Sequence, residues 1–335
     1  MRAVLVKDGK GPVENLYLGE APTPTPKEDE VLVKIRAFGL NRMDISQRNG
    51  GYNLPPGAST ILGVEFSGHV SALGAGVTGW KEGDEVFGLA SGGAYAEFIA
   101  VPQRNLMRKP AHLSWTEAAS VPENFLTAFQ ALALIAEIKK GDHVLIHAGA
   151  SGVGVAAIQL SRLLGAATVT ATASSTEKLD WLLSLPNGAT HAVNYRTQDF
   201  AAETKKATGG KGADVVVDLV GQSHWHKNIE ALALDGRMAI IGLLSGSEVA
   251  TLNMSILLYK RLRIQGSTLR SRSADYQAAL IAKFGHDVLD SITNATGGGA
   301  VRTYIHEVFP WTKIQEAHHE MEANKNSGKI IVEVV

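Results

Sequence analysis

The sequence predicts an α/β fold in which a doubly wound parallel sheet is inserted into a β-rich domain, and three observations predict it. The first third is a series of short apolar runs separated by glycine- and proline-rich turns. After Pro122 the pattern changes to apolar runs alternating with helical stretches, as far as Gly266. Mixed structure then returns and ends in a strand-like tail, Lys329 to Val335. At 335 residues the chain is long enough for two cores. We expect residues 1–122 plus 267–335 to form the β-rich domain and 123–266 the α/β unit.

Taken in order, Ala3 to Val6, Glu30 to Ala37, Glu65 to Val70, Asp84 to Leu89 and Ala94 to Val101 read as strands. Pro22-Thr23-Pro24-Thr25-Pro26, Gly74-Ala75-Gly76 and Ser91-Gly92-Gly93 break them apart. Val144 to Ala148 is a buried-type strand, followed by the small-residue stretch Gly149 to Gly154 and a helix from Val155 to Leu164. Strands at Thr168 to Ala173, His191 to Tyr195, Asp214 to Val220, Arg237 to Ile241 and Leu262 to Gly266 follow. Between them lie helices at Glu177 to Leu185, Phe200 to Ala207 and Trp225 to Leu234. Strands apolar on both faces, alternating with helices, are those of a parallel sheet covered on both sides. Tyr276 to Leu289 and Ile314 to Ala323 have helical spacing.

Composition narrows the chemistry. A formal net charge of -1 supplies no field that would draw the chain to nucleic acid or an acidic membrane. Cysteine is absent, which excludes disulfides, thiolate nucleophiles and cysteine-ligated zinc or iron–sulfur sites. No apolar run reaches membrane-spanning length, and Met1 to Val6 lacks a signal-peptide core, so the expected location is the cytoplasm.

Gly149, Ser151, Gly152, Val153 and Gly154 stand between a strand and a helix. Small residues there let the backbone and a helix N-terminus approach a pyrophosphate, although a tight strand–helix turn without ligand has the same composition. The strand–loop–helix–strand order favours a dinucleotide. At the end of the next strand an NAD enzyme usually carries a carboxylate for the ribose hydroxyls. This chain has Ser174 and Ser175, with Lys178 a turn later and Tyr195 ending the following strand. Hydroxyls and an ammonium suit a 2′-phosphate, so NADPH is expected; Ser175 also suits a helix cap and Lys178 a solvated surface.

Gly149 to Gly154, Ala156-Ala157-Ile158-Gln159 and Asn41-Arg42-Met43-Asp44 resemble the medium-chain dehydrogenase/reductase superfamily. Gly50-Gly51-Tyr52, Pro122 to Gln130, His147-Ala148-Gly149 and Ala317-His318 through Lys329 resemble its zinc-free quinone oxidoreductases. The likeness is greatest to the branch induced by a mammalian tumour-suppressor transcription factor, and it covers the whole chain. It implies a Rossmann NADPH domain inserted into a GroES-like catalytic domain, a cleft between them, and a homodimer. Arg237 to Ile241 and Leu262 to Gly266 would form the pairing edge. It also implies Asn41, Tyr52 and Thr127 at the reacting end, Ser151 near the phosphates, and Arg270 and Lys329 in reach of the cofactor.

In zinc alcohol dehydrogenases of this superfamily the position matching Asn41 is a cysteine ligand and that matching Val64 a histidine ligand. Neither donor is present, and Glu65 alone cannot hold a tetrahedral zinc. His224, His226, His318 and His319 read as surface or capping residues, so no metal is expected. Without a Lewis acid the suitable acceptor is already electron-poor, such as an ortho-quinone. Its proton would come from water or Tyr52, and semiquinone release stays open. The competing readings are a reductase of enals or enones and a crystallin-like protein that binds NADPH without turnover. Neither nucleic acid nor a membrane is an expected partner.

Overall fold

The chain opens with β1 (Arg2–Val6), which pairs antiparallel with β2 (Leu16–Glu20). β3 (Glu30–Gly39) sends Val31, Val33, Ile35 and Phe38 into a core. Its alternation breaks at two bulges against β4 (Glu65–Leu73), between Leu32 and Val33 and between Ile35 and Ala37. Between these strands runs α1 (Arg42–Arg48), begun by a reciprocal cap in which Asn41 N donates to Asp44 Oδ2 at 2.8 Å. β5 (Glu85–Leu89), β6 (Phe98–Pro102) and β7 (Leu106–Arg108) follow, then α2 (Trp115–Ala119) and α3 (Pro122–Phe129). Ala94 to Val101 is not one strand. Ala94 and Tyr95 donate to the Gly63 and Leu62 carbonyls, and ladder pairing with β3 starts only at Phe98.

The next stretch comprises β8 (His143–Ile146), α4 (Gly152–Leu163), β9 (Thr168–Ala173), α5 (Thr176–Ser184), β10 (His191–Asn194) and α6 (Phe200–Ala207). It continues with β11 (Ala213–Asp218), α7 (Trp225–Ala231), β12 (Leu232–Ile240), α8 (Met254–Lys260) and β13 (Arg263–Gly266). Its six strands make one parallel sheet ordered β10-β9-β8-β11-β12-β13. The order reverses beside β8, the place where such sheets take ligands at their C-terminal ends. β11 is buried along its whole length, as a covered parallel strand must be. The expected pairing edge is only half present. β12 lies between β11 and β13, so of these two only β13 is an edge strand.

α9 (Ala274–Asp287), the short strands β14 (Ile292–Thr293) and β15 (Val301–Arg302), β16 (Ile305–Pro310), α10 (Ile314–Glu322) and β17 (Lys329–Glu333) complete the chain. β17 runs parallel to β16 and antiparallel to β3, in a sheet ordered β16-β17-β3-β4-β5-β7 with β6 also on β3. Ile330 and Val332 thereby join Phe38, Phe66, Tyr95 and Trp311 in the core. This computed structural model describes residues 1–293 and 298–335. Two compact units result, Met1–Leu126 with Leu269–Gly297 and Thr303–Val335, and Thr127–Thr268 with Gly298–Arg302.

Candidate functional site

In the second unit the loop after β8 is shaped by what its glycines exclude. A Cβ on Gly149 would stand 2.9 Å from that of Ala171, and one on Gly154 would overlap the Ala148 carbonyl oxygen. Ala148 itself takes a φ of 50°. Ser151 is the N-cap of α4, and its Oγ accepts from Gly154 N at 3.1 Å. The Gly152 and Val153 N–H groups begin a twelve-residue helix whose dipole favours an anion at that end. This backbone fits a dinucleotide pyrophosphate. A cavity of about 300 Å³ lies at the C-terminal ends of β11 and β12, lined by Asp218, Gly221, Trp225, Ile240, Leu243 and Leu252.

His147 is buried beside the same loop. Its Nε2 meets Asn228 Oδ1 at 2.6 Å, its Nδ1 meets Thr172 Oγ1 at 3.0 Å, and Asn228 Nδ2 donates to Asp218 Oδ2 at 3.0 Å. With the amide nitrogen serving a carboxylate, the amide oxygen faces the imidazole and fixes the proton on Nε2. Burial pushes the His147 pKa down to about 4, so it is a neutral strut. His224, expected at the surface, is buried against Phe200 with ring centroids 5.0 Å apart, and burial takes its pKa to about 4.

Ser175 caps α5, its Oγ accepting from Lys178 N at 3.4 Å, and Ser174 and Lys178 are half-buried. The end of β9 is not clear of carboxylates. Glu177 stands exposed in the first turn of α5, its carboxyl held below the usual range by its own N–H and the Ser175 hydroxyl. Tyr195 is 38% exposed, and its ring lies 5.3 Å from that of His224.

In the first unit Asp44, Glu65, Glu123, Arg270 and Lys329 are all buried. Lys329 Nζ donates to Asn41 Oδ1 at 2.7 Å and Asn124 Oδ1 at 3.3 Å, and pairs with Glu65. Those three contacts occupy all three ammonium N–H groups, leaving none for a cofactor. Glu65 also accepts from Asn41 Nδ2 and from Glu123 N, each at 2.8 Å. A donor-only ammonium on one side and an acceptor-only carboxylate on the other orient the Asn41 amide in one way. One amide N–H of Asn41 is left over. Gly39 makes room, since a Cβ there would meet the Lys329 Cε at 2.7 Å.

Arg270 donates to Ser91 O at 2.9 and 3.1 Å and to Gln47 Oε1 at 2.8 Å, and its guanidinium lies 5.2 Å from the Tyr52 ring centroid. Burial raises the Tyr52 hydroxyl pKa. Burial first, and the Glu65 charge second, push Glu123 up to about 8. Behind Asn41, Asp44 accepts from Tyr95 Oη at 3.1 Å and from Gly63 N at 3.3 Å, and burial pushes its pKa up to about 6. Tyr95 Oη lies 3.2 Å from His318 Nε2, and His318 Nδ1 lies 3.0 Å from Arg48 NH1. A guanidinium only donates, so Nε2 carries the proton and the array runs from His318 through Tyr95 to Asp44.

Asn41 and Lys329 are thus brought together, as are Tyr52 and Arg270; Thr127 is a half-buried residue of α3 in the second unit. His318 is fully buried rather than a surface or capping residue. Ile314, Ala317, His318 and Met321 are the buried face of α10, and their i, i+3, i+4, i+7 spacing was the signal for it. Asp44 and Glu123 receive no role from sequence, because only the fold strips a carboxyl of water.

Residues 152–305 match the family model described as zinc-binding dehydrogenase, and residues 27–111 the alcohol dehydrogenase GroES-like domain. The chain is 30% identical to the synaptic vesicle membrane protein VAT-1 homolog of Rattus norvegicus, over 98% of this chain and 83% of that protein. It is 30% identical to the quinone oxidoreductase of Sus scrofa, over 99% and 97%. The Escherichia coli quinone oxidoreductase complexed with NADPH matches it with a TM-score of 0.84 at 29% identity, covering 99% of each chain. An NAD-dependent alcohol dehydrogenase matches with a TM-score of 0.85 at 34% identity, covering 100% of each. Zinc does not fit the residues around Glu65, whose partners are an ammonium, an amide and a backbone N–H, beside a Val64 without a donor atom. Among the described residues no helix is long and apolar enough to cross a membrane.

Proposed function

The chain belongs to the medium-chain dehydrogenase/reductase superfamily, and from that premise we propose that it is an NADPH-dependent, zinc-independent reductase of small quinones, ortho-quinones included. The observation that carries the reading is the buried Lys329–Asn41–Glu65 arrangement, which puts a fixed positive charge behind an amide with one N–H to offer. The likeness to quinone oxidoreductases over nearly the whole chain supports the same class.

When bound, NADPH supplies a hydride from nicotinamide C4. Gly149, Ser151, Gly152, Val153 and Gly154 hold the pyrophosphate, and Ser174, Ser175, Lys178 and Tyr195 hold the 2′-phosphate. Thr127 orients the nicotinamide. Asn41 donates its remaining N–H to the acceptor oxygen as charge grows there, and the Lys329 ammonium stabilises that charge through the amide. Tyr52, held against Arg270, is a second donor to the acceptor. An amide polarises far less than a metal, so the acceptor must be electron-poor from the start. Two copies pair through the β13 edge.

Oxidation of NADPH and of NADH, followed with an ortho-quinone, a para-quinone and a short enal, tests the reading. NADPH-selective turnover with quinones, insensitive to chelators, is expected. Turnover with the enal alone moves the protein to the alkene reductases, and NADH preference overturns the cofactor assignment.

A further inference from the structure

Past their last paired residues, Phe38 and Phe66, strands β3 and β4 diverge, and their register would bring Asn41 opposite Gly63. Both residues point a backbone N–H into the gap, and each buried N–H needs an acceptor. The Asp44 carboxylate serves both. Its Oδ2 accepts from Asn41 N at 2.8 Å and its Oδ1 from Gly63 N at 3.3 Å. We propose that Asp44 is the positioning residue of the reacting end, setting the Asn41 amide against the acceptor. The proposal rests on the quinone-reductase reading.

The first observation behind it is how Asn41 is located. Lys329 Nζ and Glu65 Oε1 hold the two ends of its amide at 2.7 and 2.8 Å. A backbone bond of 3.0 Å from Leu40 N to Ile330 O ties the Asn41 segment to the strand that carries Lys329. Asp44 supplies the matching tie to the chain that carries Glu65, since Gly63 stands two residues before it. A slip between these chains would turn the remaining amide N–H away from the acceptor oxygen. A misplacement of about 1 Å is enough to cost about 100-fold in rate.

The second observation is that Asp44 is itself held from behind. Donation runs one way, from Arg48 to His318 Nδ1 at 3.0 Å, from His318 Nε2 to Tyr95 Oη at 3.2 Å, and from Tyr95 Oη to Asp44 Oδ2 at 3.1 Å. A hydroxyl that accepts from His318 has its own proton free for Asp44, so the array serves the ionised carboxylate. Asp44, Tyr95 and His318 are all fully buried, and water does not compete for these bonds. Tyr95 comes this close because Gly63 has no side chain, whose Cβ would overlap the ring. The charged and titratable groups that face Asp44 are Tyr95, with His318 and Arg48 behind it, and Lys329, Arg270 and Glu123. A protonated Asp44 would present a hydrogen where it has to accept. The setting of Asn41 is therefore lost as pH falls through about 6, the value to which burial raises Asp44.

The test begins on the protein without cofactor, by nuclear magnetic resonance with isotopic labelling confined to asparagine. The Asn41 side-chain amide signals, identified by their loss in Asn41→Ala, should move as pH passes about 6 in the wild type and stay still in Asp44→Asn. Signals that ignore pH in that range, or that move equally in both proteins, overturn the proposal. In turnover, Asp44→Asn should lower kcat with a quinone by about 100-fold while the KM for NADPH stays put. A wild-type kcat in that variant sinks the proposal alone. A wild type that oxidises NADPH with no quinone sinks the functional reading and the proposal together. Should Asp44→Asn fold poorly, Tyr95→Phe keeps the carboxylate and removes one of its donors, so the acidic fall in kcat should begin at higher pH than in the wild type. An identical pH profile in Tyr95→Phe and the wild type overturns the proposal.

Discussion

Lys329 is the residue whose loss is easiest to forecast. Replacing it by methionine leaves the Glu65 carboxylate buried without its cation, a change that typically costs about 3–5 kcal/mol. Urea denaturation should show that loss in Lys329→Met, and adding Glu65→Gln should recover much of it. Equal instability of the single and double variants would mean that packing, not charge, is at stake. At the other unit, Glu177 and Lys178 are neighbours of opposite sign beside Ser175. Lys178→Glu should weaken NADPH binding far more than NADH binding. Glu177→Gln should tighten NADPH alone, and only at low ionic strength, because that carboxylate is exposed. Cofactor fluorescence titrations separate these outcomes, and equal changes for both nucleotides would remove the 2′-phosphate from this corner.

At the scale of elements, the loop before α4 offers a sharper test. Gly154→Ala would drive a methyl group into the Ala148 carbonyl, a strain of about 1–3 kcal/mol that falls on the helix start itself. Dinucleotide affinity should drop at least tenfold and the melting temperature should fall by about 2–4 °C per kcal/mol of that strain; unchanged affinity would free the loop from its assigned role. The alternating strands and helices of the second unit were legible because runs such as β9 and β11 are buried on both faces. Helix α6 is found over the residues its pattern indicates, Phe200–Ala207. Less regular pieces were not legible. Helix α8, Met254–Lys260, packs Ile256 and Leu257 on a core but exposes Met254, Leu258 and Tyr259, so its short apolar run shows no one-sided stripe. Leu232–Leu234 reads as the end of a helix by spacing yet starts β12, because Ala231 already closes α7. The site divided along the same line: Asn41 and the glycine loop are visible as motifs. The pairing of Lys329 with Glu65 exists only once the fold brings β17 and β4 together.

For the whole molecule, the buried titratable groups predict a stability maximum. His147, His224 and His318 have pKa values lowered by burial to about 4, about 4 and about 3. The stability they contribute is present above the ordinary imidazole pKa and is lost as pH falls through those values. Asp44 and Glu123 are raised to about 6 and about 8. Their contribution is complete below the ordinary carboxyl pKa and is lost as pH rises through those values. The melting temperature should therefore peak near about pH 6.5 and fall on both sides. Glu123→Gln should flatten the alkaline side only, and a wild-type profile level from neutral to alkaline pH would contradict the burial of that acid.

The position of β17 between β16 and β3 bears on how the protein is made. The second unit is almost entirely one continuous stretch, Thr127–Thr268, and can fold on the ribosome as soon as it emerges. The first unit must wait with β3 and β4 already synthesised until Lys329–Glu333 has left the exit tunnel. Because Lys329 travels on that strand, a nascent or prematurely terminated chain carries a complete second unit and an unfinished first one. Under the proposed function, translation thus separates the ability to hold a reductant from the ability to discharge it.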